Sequence, residues 1–297
     1  MTNIEKRGGP QLACEITPDR VIVARTADKG TALDSYTSRA FGAGVLNPRL
    51  TDENILNSGT MKQAITDAFT TVGARSRDIV AILPDASVRI ALLDFETLPE
   101  KRADADGVIR FRLKKAVPFD IEKASVSYDV FQADGKVRVL TAVMLSSVLA
   151  EYEAIFRELG YAPGVVIPSS LAALGNVDSA EPVMVIKSDA STTTLAIVAD
   201  QKLLLFRTLE NTGGISATGE QLIEDVHASL VFFQDTYNMQ VQRILLGGSI
   251  DSDRVAPYLE SQANVRVQNL VVDERLGGTR PNFPASTLAG VVGALLG

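Results

Sequence analysis

The strongest constraint on this chain is an order of elements that occurs twice. Near the N-terminus, residues 12–16, 21–24 and 33–41 read as three successive strands, with Pro18-Asp19 forming the first turn. A helix is expected next, over 52–72. Its apolar positions Met61, Ile65, Ala68 and Val72 fall on one face, and Asp52 or Ser58 would cap it. The apolar run 78–83 then reads as a strand buried on both faces. From residue 183 the order restarts, with strands over 183–186, 192–198 and 203–209. The longest helix follows over 220–237, where Leu222, Val226, Leu230, Phe233 and Tyr237 form a stripe, and a strand over 243–246 comes after it. Three strands, a helix and a strand, used twice, predict a duplicated α/β fold.

The two copies differ by an insertion. Residues 86–149 hold a strand (88–95), a helix (104–117, expected to stop at Pro118) and a hairpin. The hairpin strands, 125–132 and 136–145, are joined through Ala133-Asp134-Gly135. A helix over 148–159, a strand over 164–167 and a short helix over 169–174 close the first half. Small polar residues at 175–181 mark the boundary. The expected halves are therefore 11–175 and 182–297, the first with a core of 11–85 and 150–175. A helix over 251–261, a strand over 265–269 and a final helix over 286–296 complete the second.

Composition narrows the function. Lys plus Arg is 29 and Asp plus Glu is 36, a net charge of −7 with no long basic run, which argues against a dedicated nucleic-acid binder. The lone Cys14 excludes a disulfide within the chain and a Cys-based zinc site, so no metal site is expected. The single His227 lies one step off the helical stripe and reads as structural; no spacing gives it a nucleophile and an orienting acid, and no catalytic residue is expected. Neither the polar start, 1–10, nor the apolar tail, 288–297, suits a signal peptide or a roughly 20-residue membrane span. A cytoplasmic protein that reaches a membrane only through partners is expected. Arg110, Arg112, Lys114 and Lys115 on the inserted helix could face anionic lipid, but in a chain of net charge −7 they read rather as a solvated face.

Several short motifs then stand in one order along nearly the whole chain: Leu98-Pro99 before a helix, Pro118-Phe119-Asp120-Ile121-Glu122, Val126-Ser127-Tyr128-Asp129, residues 202–207, Gly213-Gly214, residues 228–234, residues 244–248 and Ala289-Gly290. In these the chain resembles the PilM family of type IV pilus assembly proteins, an FtsA-like branch of the actin-like ATPase superfamily. The resemblance implies a duplicated actin-like (ribonuclease H-like) fold, with 86–149 as an inserted 1C-type β-α-β subdomain. Only five residues separate Gly214 from Glu220, so subdomain 2B would be reduced. The family implies a cytoplasmic scaffold, peripheral to the inner membrane. It would bind the N-terminal cytoplasmic peptide of a PilN-like inner-membrane protein between the core and the inserted unit, and it could link that protein to pilus motor ATPases. An active actin-like ATPase, or the GspL-like component of a type II secretion platform, is the alternative.

Actin-like folds hold Mg-ATP between two hairpins that each carry an acid and a glycine, because glycine lets backbone N–H groups approach phosphate and the acid positions the metal. By resemblance, the first Asp-x-Gly falls on Glu15-Ile16-Thr17 and the second on Lys187-Ser188-Asp189. Both are degraded, so hydrolysis is not expected and no cofactor is assigned, with ATP and magnesium as the alternative. Lys187 and Asp189 are expected to be solvated turn residues. Gly247, Gly248, Gly214 and Glu224 are the candidate remnants of a nucleotide cleft, although Gly247-Gly248 also reads as a plain tight turn.

Overall fold

A computed structural model describes residues 11–27, 30–133, 135–211, 219–277 and 282–297. The first five-stranded sheet is built from β1 (Leu12–Ile16), β2 (Arg20–Thr26), β3 (Leu33–Ala40), β4 (Asp78–Leu83) and β8 (Ala162–Pro168), in the order β3-β2-β1-β4-β8. The second uses β9 (Val183–Ser188), β10 (Thr192–Ala199), β11 (Lys202–Glu210), β12 (Arg243–Gly248) and β13 (Arg266–Asn269), in the order β11-β10-β9-β12-β13. In each, an antiparallel meander is followed by two strands parallel to its first. The duplication read from the sequence is thus the same topology twice. A third sheet, β5-β7-β6, comprises Arg89–Phe95, Lys136–Leu145 and Ala124–Ala133 respectively.

Seven helices occur among the described residues: α1 (Ser58–Val72), α2 (Arg102–Leu113), α3 (Ser146–Glu158), α4 (Ser169–Leu174), α5 (Gly219–Tyr237), α6 (Ser252–Ala263) and α7 (Ala289–Leu296). α1 buries Met61, Ile65, Ala68 and Val72, as their spacing requires. Neither expected residue caps it. Asn57 does so, its side chain accepting from the Thr60 N–H at 3.0 Å, whereas Asp52 lies in the preceding loop. α2 ends at Leu113, not at Pro118. A proline ring excludes the carbonyl four residues back, here that of Lys114, so the helix unwinds a turn before the proline itself. The final helix starts at Ala289, after a single 3₁₀ turn at Ala285–Leu288.

Period-2 alternation sorts the strand side chains into layers. Leu12, Cys14 and Ile16 of β1 pack with α1 and α3 on the outer face. Met184 and Ile186 of β9 pack with α5 on the opposite outside. Between the sheets, Ala13 meets Val183 and Val185 in one shared core, with Ala172 and Ala173 of α4 and Val291 and Val292 of α7. The halves are thus joined by a continuous middle layer. α2 covers the third sheet through Ile109 and Leu113, packed on Val139 and Val143.

Candidate functional site

The alternation that puts Ala13 in the middle layer puts Glu15 there too, and the one that puts Val185 there does the same for Lys187. Each is the penultimate residue of its strand, β1 and β9, the first strands of equivalent meanders. The C-terminal ends of parallel strands are where open α/β sheets hold ligands. Here the two ends face each other and are joined: Lys187 Nζ lies 3.5 Å from Glu15 Oε1, with exposures of 4% and 1%.

Ser169, which opens α4, donates its hydroxyl to Glu15 Oε1. The other oxygen, Oε2, is sealed from solvent without a hydrogen-bond partner and lies against Gly290 of α7, where any Cβ would overlap the carboxylate. Gly290 therefore lets the closing helix pass over Glu15. Nearby, Asp85 is also buried and accepts at Oδ1 from the Ser170 N–H and hydroxyl, both at 2.9 Å. Burial pushes the carboxyls of Glu15 and Asp85 up, against the pull of Lys187. For Lys187, burial alone would lower the pKa, but Glu15, Asp85 and Asp189 outweigh it and raise it. Lys187 therefore stays charged.

Lys187 and Asp189 are not solvated turn residues, as the sequence suggested: both are buried. The expectation failed because β9 runs two residues past Ile186, carrying Lys187 into the sheet. Asp189 folds its carboxylate back on its own turn, accepting from the Ser191 N–H at 2.7 Å and the Thr192 N–H at 2.8 Å. Asn211 braces that turn, donating to the Asp189 carbonyl at 2.7 Å. At the other hairpin Thr17 is buried, with its hydroxyl donating to Asp19 at 3.0 Å.

Gly247 and Gly248 extend β12 beyond the expected end at Leu246 and pair with Lys187 and Ser188. Gly248 has φ +80°, and a Cβ there would overlap the Ser188 carbonyl; a Cβ on Gly247 would stand 3.2 Å from Ala289 and Leu270. Close backbone and helix packing thus accounts for both glycines. Glu224 and His227 are both exposed on α5. Gly214 lies outside the described residues. Among those residues no group of three or more His, Cys, Asp or Glu is arranged to hold a metal.

The residues present do not fit a magnesium nucleotide. A cation already sits against Glu15, Asp189 is committed to its turn, and Thr17 fills a position that needs a bare backbone.

A second feature lies beside the inserted sheet. A cleft of about 170 Å³ runs between β6 and β8, each an edge strand of its sheet. Ser125 and Ser127 line one wall, Val166 and Ile167 the other, and Ala142 and Met144 the floor. Val165 on β8 is an exposed apolar residue at that edge.

No family model and no curated protein matches the sequence. Solved structures do. The chain is similar to the PilM-PilN type IV pilus biogenesis complex, at 18% identity with a TM-score of 0.79, covering 97% of this chain and 98% of that one. It is also similar to the cytoplasmic domain of EpsL, an inner-membrane component of the type II secretion system of Vibrio cholerae, at 8% identity and a TM-score of 0.53, covering 95% and 93%. The ethanolamine utilization protein EutJ from Carboxydothermus hydrogenoformans matches at 9% identity and a TM-score of 0.51, covering 99% and 94%. The fold is the actin-like ATPase fold.

Proposed function

We propose that this protein is a non-enzymatic cytoplasmic scaffold of a type IV pilus inner-membrane assembly complex, and that it binds the N-terminal cytoplasmic peptide of a PilN-like membrane protein. One observation carries the non-enzymatic part: the Glu15–Lys187 pair, where the actin-like pattern needs an acid free to position magnesium. The full-length likeness to PilM in its complex with PilN supports the pilus assignment over the type II secretion platform, whose EpsL domain superposes less well. No helix among the described residues is long and apolar enough to cross a membrane, which agrees with a peripheral position held through partners.

The peptide would occupy the cleft between β6 and β8. Two unpaired edges offer backbone hydrogen bonds to an added strand, and the apolar floor at Ala142 and Met144 fixes which side chains turn inward. Through the same complex the protein would connect to the pilus motor ATPases. Calorimetric titration tests both parts. Mg-ATP should give no binding heat, whereas the N-terminal peptide of the cognate PilN-like protein should bind one to one. Saturable Mg-ATP binding with phosphate release would overturn the non-enzymatic reading, and a silent peptide would overturn the partner.

A further inference from the structure

α2 turns one face away from the sheet it covers. Ala105, Ile109 and Leu113 are buried beneath it, but Phe111 is 74% exposed, the most exposed large apolar side chain among the described residues. Val108, one turn back, is exposed as well. A solvated helix face has no use for a phenylalanine that touches so little.

The surroundings of Phe111 are cationic. Residues 107–117 carry Arg110, Arg112, Lys114 and Lys115 and no carboxylate, in a chain of net charge −7. Arg110 is engaged at home, pairing with Asp106 at 2.8 Å and donating to the Ile121 carbonyl at 3.2 Å. Arg112 leans over the Phe95 ring, 5.7 Å from its centroid, with its charge exposed. Lys114 and Lys115 are exposed one turn beyond Phe111. Among the described residues no ion pair holds Arg112, Lys114 or Lys115. Asp104 is the acid on the same side, a turn before Val108.

The shape and the charge together select the occupant. A protein partner that buried Phe111 would need a pocket matched to it, and its acids would have to match long, mobile lysines. A bilayer interface needs neither: an aromatic wedge enters at the headgroup level while flanking cations meet anionic lipid. We propose that the outer face of α2 binds anionic phospholipid headgroups directly, with Phe111 inserted and Arg112, Lys114 and Lys115 around it. This goes beyond the scaffold reading, in which the membrane is reached only through a partner. Each cation near an anionic surface strengthens partitioning about fivefold, so the three together contribute roughly 100-fold.

The sequence contains no tryptophan, so Phe111→Trp installs a single reporter at the tip of the wedge. With phosphatidylglycerol-containing vesicles its emission should move to the blue, and the wild-type protein should pellet with them. Pure phosphatidylcholine vesicles should do neither, and raised salt should release the bound protein. Lys114→Glu/Lys115→Glu and Phe111→Ser should each lose most of the pelleting. All these side chains are exposed, so circular dichroism should be unchanged. An unshifted tryptophan, or pelleting that the variants leave intact, overturns the proposal. So does a blue shift that grows with protein concentration in the absence of lipid, which would make this face a contact between copies. The vesicle experiment contains no peptide, and the cleft lies on the opposite face of the sheet from α2, so its failure is separable from that of the partner reading.

Discussion

Lys187 and Glu15 come from opposite halves and neutralise each other where water cannot reach them. Removing one partner of such a pair is costly because the other charge is left alone in a poor solvent. Lys187→Met should therefore lower stability by about 3 kcal/mol at pH 8, measured by urea denaturation. The double variant Glu15→Gln/Lys187→Met removes both charges of the pair, leaving Asp85 and Asp189 on their own hydrogen-bond donors, and should lose less than the single one. Equal or larger loss in the double variant would show that the pair is not coupled. The pH dependence has a definite sign. Without Lys187, burial lifts the Glu15 carboxyl further above its ordinary value of 4.5. The folded state then binds a proton that the unfolded state has released. The deficit of Lys187→Met is consequently smallest near pH 5 and grows as pH rises through the folded pKa, more steeply than any trend in the wild type. The pair was half legible in the sequence. Motif alignment placed Glu15 and Lys187 at the two hairpins, but ending β9 at Ile186 put Lys187 in solvent. One more step of alternation from Val183 and Val185 would have turned it inward.

Elements with strong periodicity were read correctly, but the start of α1 and the end of α2 were not. α1 and α5 carry their apolar stripes in the sequence, whereas the cap of α1 and the stop of α2 depend on which polar atom or ring the backbone meets first. α7 shows a further limit. Its run of small and apolar residues reads as a packed helix, yet nothing local says that it docks on α4. Asn176, just past α4, donates to the Ala289 carbonyl at 2.8 Å, and a Cβ on Gly293 would overlap the Ala172 carbonyl. The two helices meet backbone to backbone, a contact that only glycine permits. Gly293→Ala should destabilise the protein by about 2 kcal/mol or more, because neither backbone can move without opening the middle layer. Gly107→Ala in α2 is the matched control: a Cβ there meets nothing within 4 Å. Removing that mid-helix glycine should stabilise by up to about 1 kcal/mol, so thermal denaturation should move the two variants in opposite directions. A shift in the same direction would count against the docking argument.

Across the whole molecule, the duplicated topology was readable because each half repeats its own hydrophobic pattern, while the meeting of the halves was not, because it is made by residues far apart in sequence. The cleft belongs to this second class: β6 and β8 are 29 residues apart at their nearest ends, Ala133 and Ala162, and become neighbours only when the inserted sheet folds back on the core. That geometry yields a residue-level expectation for the partner peptide. β8 pairs with β4 along one edge, so the backbone N–H groups on its other edge lack a strand partner and exchange readily with solvent. A peptide added as a strand would cover them and slow the exchange of alternate amides along β8 or β6, since only every second residue points its N–H outward. Hydrogen exchange with and without the PilN-like peptide should therefore show protection on those edges and none in β9–β13, a full layer away. Ser127 is exposed on the β6 wall, so Ser127→Arg should block the cleft and abolish the protection without changing the melting temperature. Protection that survives Ser127→Arg, or that appears in the second sheet, would move the partner site elsewhere and leave the cleft as a seam between the inserted sheet and the core.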